Sequence, residues 1–116
     1  MTTPALRRSL ARLRRAAESY GLALDAARRA ALAAVQAELP GVILTSHSDG
    51  DGAEVVWSSR EHGLIAIVCE GHVWRVESTR GGSRTGPTVR TALARLAAHG
   101  PAQRAAVAEL LGGVEA

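Results

Sequence analysis

Five arginines, Arg7, Arg8, Arg12, Arg14 and Arg15, fall within nine residues near the start of the chain. A guanidinium group presents forked donors that match phosphate oxygens. On a helix, Arg7 or Arg8 lines up with Arg12 and Arg15, while Arg14 stands nearer the apolar edge. Such a stripe would follow a phosphate backbone, each contact adding ~1 unit to the salt dependence of binding. The plainer reading is a solvated or internally ion-paired face, because like charges at i,i+4 are only mildly destabilising. No aromatic residue is interleaved with the cluster, so stacking of single-stranded bases has no support.

Other candidates are weaker. Gly81-Gly82-Ser83-Arg84-Thr85-Gly86-Pro87 has the makings of an anion site at a helix N-terminus. That reading would add Arg84 and Arg90 as phosphate contacts, against a simple strand-to-helix connector. It lacks the Gly-Lys-Ser/Thr ending of a P-loop, and Pro87 removes a donor. Cys69 and His72 bracket a tight turn, with His47, His62 and His99 elsewhere. Zinc normally takes four ligands with paired close spacings, so no metal is expected. Cys69 ends the most apolar strand and reads as a small core residue rather than a nucleophile. Asp49-Gly50-Asp51-Gly52 reads as a polar hairpin turn, being too short for an EF-hand loop. No pair of carboxylates has a spacing that spans a cleft. The expectation is a protein that is not an enzyme and carries no cofactor.

The elements that hold these residues are legible from periodicity. Large apolar residues at 6, 10, 13, 20, 24, 32, 35 and 39 mark an N-terminal helix rich in strong helix formers. Pro40-Gly41 stops it. Gly21 costs about 1 kcal/mol inside a helix, and Asp25 would cap a fresh start. The seam Leu6, Leu10, Leu13, Ala17, Tyr20, Leu24 is followed by a shifted set, Leu32, Val35 and Leu39. We therefore expect a break or bend near Gly21, with the second half packed on a sheet and residues 1–20 projecting as a basic helix. A continuous helix would instead favour dimerisation along it. Leu6, Leu10 and Leu13 are then candidates for a partner interface, with Trp57 as a further anchor; core packing is the other role open to Trp57 and Trp74.

From Val42 the pattern becomes short β-rich runs at 42–46, 53–59, 64–69 and 72–79, separated by Gly and Asp, an antiparallel meander of about four strands. Glu70-Gly71 suits a tight hairpin. In the last strand Trp74 and Val76 share one face, and Val73, Arg75 and Glu77 the other. Leu64 to Cys69 is apolar on both faces, which implies a central strand covered on both sides by helices or another subunit. Gly81 to Gly86 reads as a loop, followed by a helix from Pro87 to about His99. A last helix carries Val107, Leu110 and Leu111 up to Gly112-Gly113. The fold class is α+β in the order α-β-β-β-β-α-α.

Composition sets outer limits. At 116 residues with 47% hydrophobic content, one domain spanning 1–116 can bury a core without disulfides. All 14 basic residues are Arg. Residues 1–40 hold seven of them against Glu18, Asp25 and Glu38, and residues 41–80 hold six acids against three Arg. No apolar run is long enough to span a membrane, and arginines interrupt any secretory leader. With Cys69 alone, a cytoplasmic protein is the simplest expectation.

Cys69-Glu70-Gly71-His72-Val73-Trp74, through Gly82-Ser83-Arg84 into Ala92–Ala98, resembles in element order the end of a double-stranded-RNA-binding domain. Its helix start reads Arg-Thr-Gly-Pro-Thr where that family has a lysine-rich one. The long front helix, meander and closing helix are similar to small dimeric nucleoid-associated proteins of the YbaB type. Both are architectural analogies, and function does not follow from architecture alone. The sequence points to a small binding protein, a homodimer, whose Arg7, Arg8, Arg12 and Arg15, with Arg84 and Arg90, touch nucleic-acid phosphates without reading sequence. The alternative is a protein-interaction module, such as an adaptor, chaperone, inhibitor or mobile-element accessory protein, that docks a partner by its sheet face or front helix.

Overall fold

The computed structural model describes residues 4–49 and 52–114. A 35-residue helix, α1 (Pro4–Glu38), leads into strands β1 (Thr45–Asp49), β2 (Gly52–Ser59), β3 (Gly63–Glu70), β4 (Val73–Ser78) and β5 (Ser83–Gly86), followed by α2 (Val89–Ala97) and α3 (Pro101–Gly112). The strands form one antiparallel sheet in the order β1-β2-β3-β4-β5. The fold is α+β, as expected.

α1 runs through Gly21 without a break, contrary to the expectation. The reason is energetic: a break would strand the backbone donors and acceptors of two new helix ends, whereas one exposed glycine costs only about 1 kcal/mol. The cap that a restart would need is also committed, since Asp25 is ion-paired with Arg28 one turn along. Pro40 ends the helix, and Gly41 takes the left-handed conformation at φ 87°. Gln36 secures this corner by donating its Nε2 to the carbonyls of Leu39 (2.8 Å) and Val42 (3.0 Å).

The meander has five strands rather than four. Ser83–Gly86, expected as loop, forms β5 because a turn closed by Gly81 N–H to the Ser78 carbonyl (3.0 Å) folds it back onto β4, with Arg84 opposite Val76. Residues 42–44 lie outside β1, which begins at Thr45. The β3–β4 connection is Gly71-His72, one residue on from the expected pair, with Gly71 at φ 64° supplying the positive φ of a tight hairpin.

β3 is central, but the helices all lie on one side of the sheet. Val55 and Trp57 of β2, Ile65 and Ile67 of β3 and Val76 of β4 point to that side. They form one buried cluster with Val35 of α1, Leu39 just after it, Val89, Leu93 and Leu96 of α2, and Val107 and Leu110 of α3. The opposite side, with Val56, Leu64, Ala66 and Val68, is covered by no other element among the described residues. Within the chain, helices therefore cover β3 on one side and not on both; of the two covers expected, another subunit is the one left for the second side. β4 divides its faces as the alternation predicts: Val76 is buried and Trp74 half-buried, while Val73 and Glu77 are exposed with Arg75 beside them.

Only the last turns of α1 reach the core, through Ala31, Leu32 and Val35, with Leu39 just after the helix. Asp25, Arg28 and Arg29 lie beside Ser46 of β1, and the helix before them projects. The molecule measures 65 × 28 × 28 Å with a radius of gyration of 18.7 Å, against roughly 13 Å for a compact chain of this length.

Candidate nucleic-acid interface

Arg7, Arg8, Arg12, Arg14 and Arg15 all lie on the projecting half of α1, and all are exposed. Among the described residues no side-chain hydrogen bond or ion pair engages any of them. At 3.6 residues per turn, Arg8, Arg12 and Arg15 fall within ~40° of the direction opposite Val35, the residue seated on the sheet, while Arg7 and Arg14 flank the apolar stripe. The helix thus carries a basic ridge along its outer side, with guanidinium groups spaced over two turns. No acid occupies its first turn. The positive end of the helix dipole and the arginine charges therefore reinforce each other.

Leu6, Leu10 and Leu13, the expected interface residues, are 51%, 50% and 67% exposed on the same half of α1. Trp57 sits elsewhere: at 8% exposure it belongs to the core, which leaves little of its ring for a partner.

The remaining two arginines of the predicted site do not join the ridge. Arg84 donates to the Ser83 carbonyl (2.7 Å) and lies 2.8 Å from His99 Nδ1. Arg90 donates its Nε to the Glu38 carbonyl (3.0 Å), at the C-terminal end of α1. Glu38 stands ~35 Å along the helix from Arg15. The helix dipole makes that carbonyl end a favourable place for a cation, so Arg90 serves the fold.

Where the Gly81–Pro87 segment meets a helix, the chain itself occupies the candidate anion site. The Glu38 carboxylate accepts from the Val89 N–H (3.1 Å) and the Arg90 N–H (3.3 Å), and Thr88 Oγ1 accepts from the Thr91 N–H (3.1 Å). The three first-turn donors of α2 are thereby satisfied, which removes the donors that a phosphate would need there. Sequence reading missed this role of Glu38 because 51 residues separate it from its partner Val89.

The other candidates have structural occupations. Cys69 is exposed rather than a core residue, and its Sγ lies 3.7 Å from the Gly71 carbonyl. Among the described residues no group of three His, Cys, Asp or Glu is placed to hold a metal. Asp49 pairs with Gly52 across a hairpin; residues 50 and 51 of that candidate loop lie outside the described residues. Ser59, His62 and Glu109 gather at one corner, a trio the sequence did not announce. Ser59 donates to the Glu109 carboxylate and accepts from the N–H groups of Glu61 and His62, while His62 Nε2 lies 3.6 Å from Glu109. The imidazole is not bonded to the hydroxyl, so the trio lacks the nucleophile–base contact of a hydrolase. It ties the β2–β3 turn to α3.

No helix among the described residues is long and apolar enough to cross a membrane. Comparison of the chain with protein-family models, with curated proteins and with solved structures found no match.

Proposed function

We propose that this protein is a non-enzymatic nucleic-acid-binding protein that contacts the phosphate backbone through the arginine ridge of α1. The observation that carries this reading is the combination of projection and availability: Arg8, Arg12 and Arg15, with Arg7 beside them, stand clear of the folded body with no partner among the described residues. Surface cations that serve the fold are engaged, as Arg28, Arg75 and Arg90 are. The ridge arginines are assigned to phosphates, contacts that position a protein on the backbone without reading sequence.

Fluorescence anisotropy with random duplex DNA and RNA at 50 and 200 mM salt tests it. Four phosphate contacts predict that affinity falls about 150-fold between those concentrations, from a slope of ~0.9 per contact. Combined Arg8→Ala, Arg12→Ala and Arg15→Ala substitution should flatten that slope and leave thermal stability unchanged. Absence of binding at low salt, or binding that ignores salt, overturns the proposal.

The protein-interaction reading has one specific observation in its favour, the uncovered face of the sheet. A stoichiometric protein partner lost on altering that face would support it.

A further inference from the structure

Two surfaces, the outer side of the sheet and the Leu10–Leu24 stripe of α1, are covered by no other element among the described residues, and they complement one another. The first is the uncovered side of the sheet. Register places Val56 beside Ala66, Ser58 beside Leu64 and Glu54 beside Val68. Val56, Leu64 and Ala66, with Glu54 and Glu77, line a shallow cavity of about 330 Å³. Around these apolar residues stand three carboxylates, Glu54, Glu70 and Glu77, against one cation, Arg75, which is paired with Glu70 at 2.7 Å and with Glu77. The face is apolar at its centre and acidic in balance.

The second is the projecting half of α1. Leu10, Leu13, Ala17 and Leu24 all lie within ~40° of the direction of Val35. Val35 points onto the sheet, so the same stripe continues past the end of the sheet, still facing the level at which the sheet lies. The projecting half carries five arginines against Glu18. Residues 4–24 extend ~32 Å, and five strands at ~4.8 Å spacing make a sheet about 19 Å wide between its outer strands. The helix is long enough to cross a whole sheet.

We propose that the protein is a two-fold dimer in which the projecting half of each α1 lies across the uncovered sheet face of the other chain. A two-fold axis lying in the plane of the sheet turns the second copy over at the same level. Its uncovered face then meets the first chain's apolar stripe, and its own projecting helix returns along the far side of the first sheet. Each sheet becomes covered on both sides, and the contact is made twice, as closed two-fold symmetry requires. Arg7 and Arg14, flanking the stripe, fall beside the acidic rim of the partner sheet. Arg8, Arg12 and Arg15 face outward, so the dimer is independent of the nucleic-acid reading and compatible with it.

Light scattering on the full chain should give twice the 12.1 kDa chain mass. Leu13→Glu and Ala66→Arg should each halve that value while the far-UV circular dichroism of the folded body persists. In a Cys69→Ser background, Leu13→Cys with Ala66→Cys should give a disulfide-linked dimer on mild oxidation. Within one chain Leu13 stands ~33 Å along α1 from Val35, which excludes an intrachain bond. A wild-type monomer, or the absence of that cross-link, overturns the proposal. So does a dimer that survives Ala66→Arg, or one cross-linked efficiently by Leu13→Cys alone, since both indicate helix-to-helix pairing.

Discussion

Replacing Glu38 by Ala should lower stability by about 1.5 kcal/mol, although the residue lies outside the hydrophobic core. Its carboxylate holds the N–H groups of Val89 and Arg90 at 3.1 and 3.3 Å, joining the end of α1 to the start of α2. Removing an N-terminal cap costs about 1 kcal/mol. Removing a negative charge from a partly exposed helix N-terminus costs about 0.5 kcal/mol more. Water replaces part of what is lost, because Arg90 is exposed. At ~4 °C per kcal/mol for a domain of this size, Tm falls by about 6 °C. Glu38→Gln keeps an oxygen acceptor without the charge and should fall between the two. Thermal unfolding followed by circular dichroism reads all three proteins. Added sulfate should raise the Tm of Glu38→Ala more than that of the wild type, because only the variant has an open anion site. A Glu38→Ala midpoint within about 1 °C of wild type would refute the capping argument, and equal sulfate responses would refute the claim that Glu38 fills the site.

Two substitutions probe the backbone directly. Gly86→Ala would place a Cβ 2.7 Å from the Ala92 backbone nitrogen, where β5 passes under α2; backbone cannot move aside as a side chain can, so urea unfolding should show a loss of about 2 kcal/mol. Gly21→Ala meets no atom within 4 Å and should favour the helix by about 1 kcal/mol, seen as slower amide hydrogen exchange around residue 21 with the core unchanged. Faster exchange there would contradict a continuous α1.

Local pattern carried much of this fold. The β3 run of apolar residues, the alternation in Trp74-Arg75-Val76-Glu77 and the stop at Pro40-Gly41 are short-range signals, and each element they mark is present. Where local signals misled, a distant partner made the difference. Ser83–Gly86 reads as loop because it is set among glycines and has no apolar alternation, yet the free edge of β4 recruits it by backbone hydrogen bonds that any residue except proline can offer. Gly21 reads as a break because propensity is counted one residue at a time, while helix continuity depends on the cost of two new ends. Cys69 reads as core because it ends an apolar run and shares the face of Ile65 and Ile67, but it lies near the end of β3, beyond the cover of the helices, and is exposed.

By itself the sequence determined the α+β class, the element order apart from β5 and the basic character of the front helix, since these follow from periodicity, chain breakers and charge over short windows. It could also name the five arginines, because their spacing on a helix is a local property. Only the tertiary structure decided which charges are available. Arg90 and Glu38 meet at the junction of α1 and α2, Arg84 lies against His99, and the ridge on α1 is left in solvent. The tertiary structure also decided that all helices cover one side of the sheet. Which side a helix packs on is set by chain direction at the turns and by long-range burial, and neither is written in any stretch of neighbouring residues.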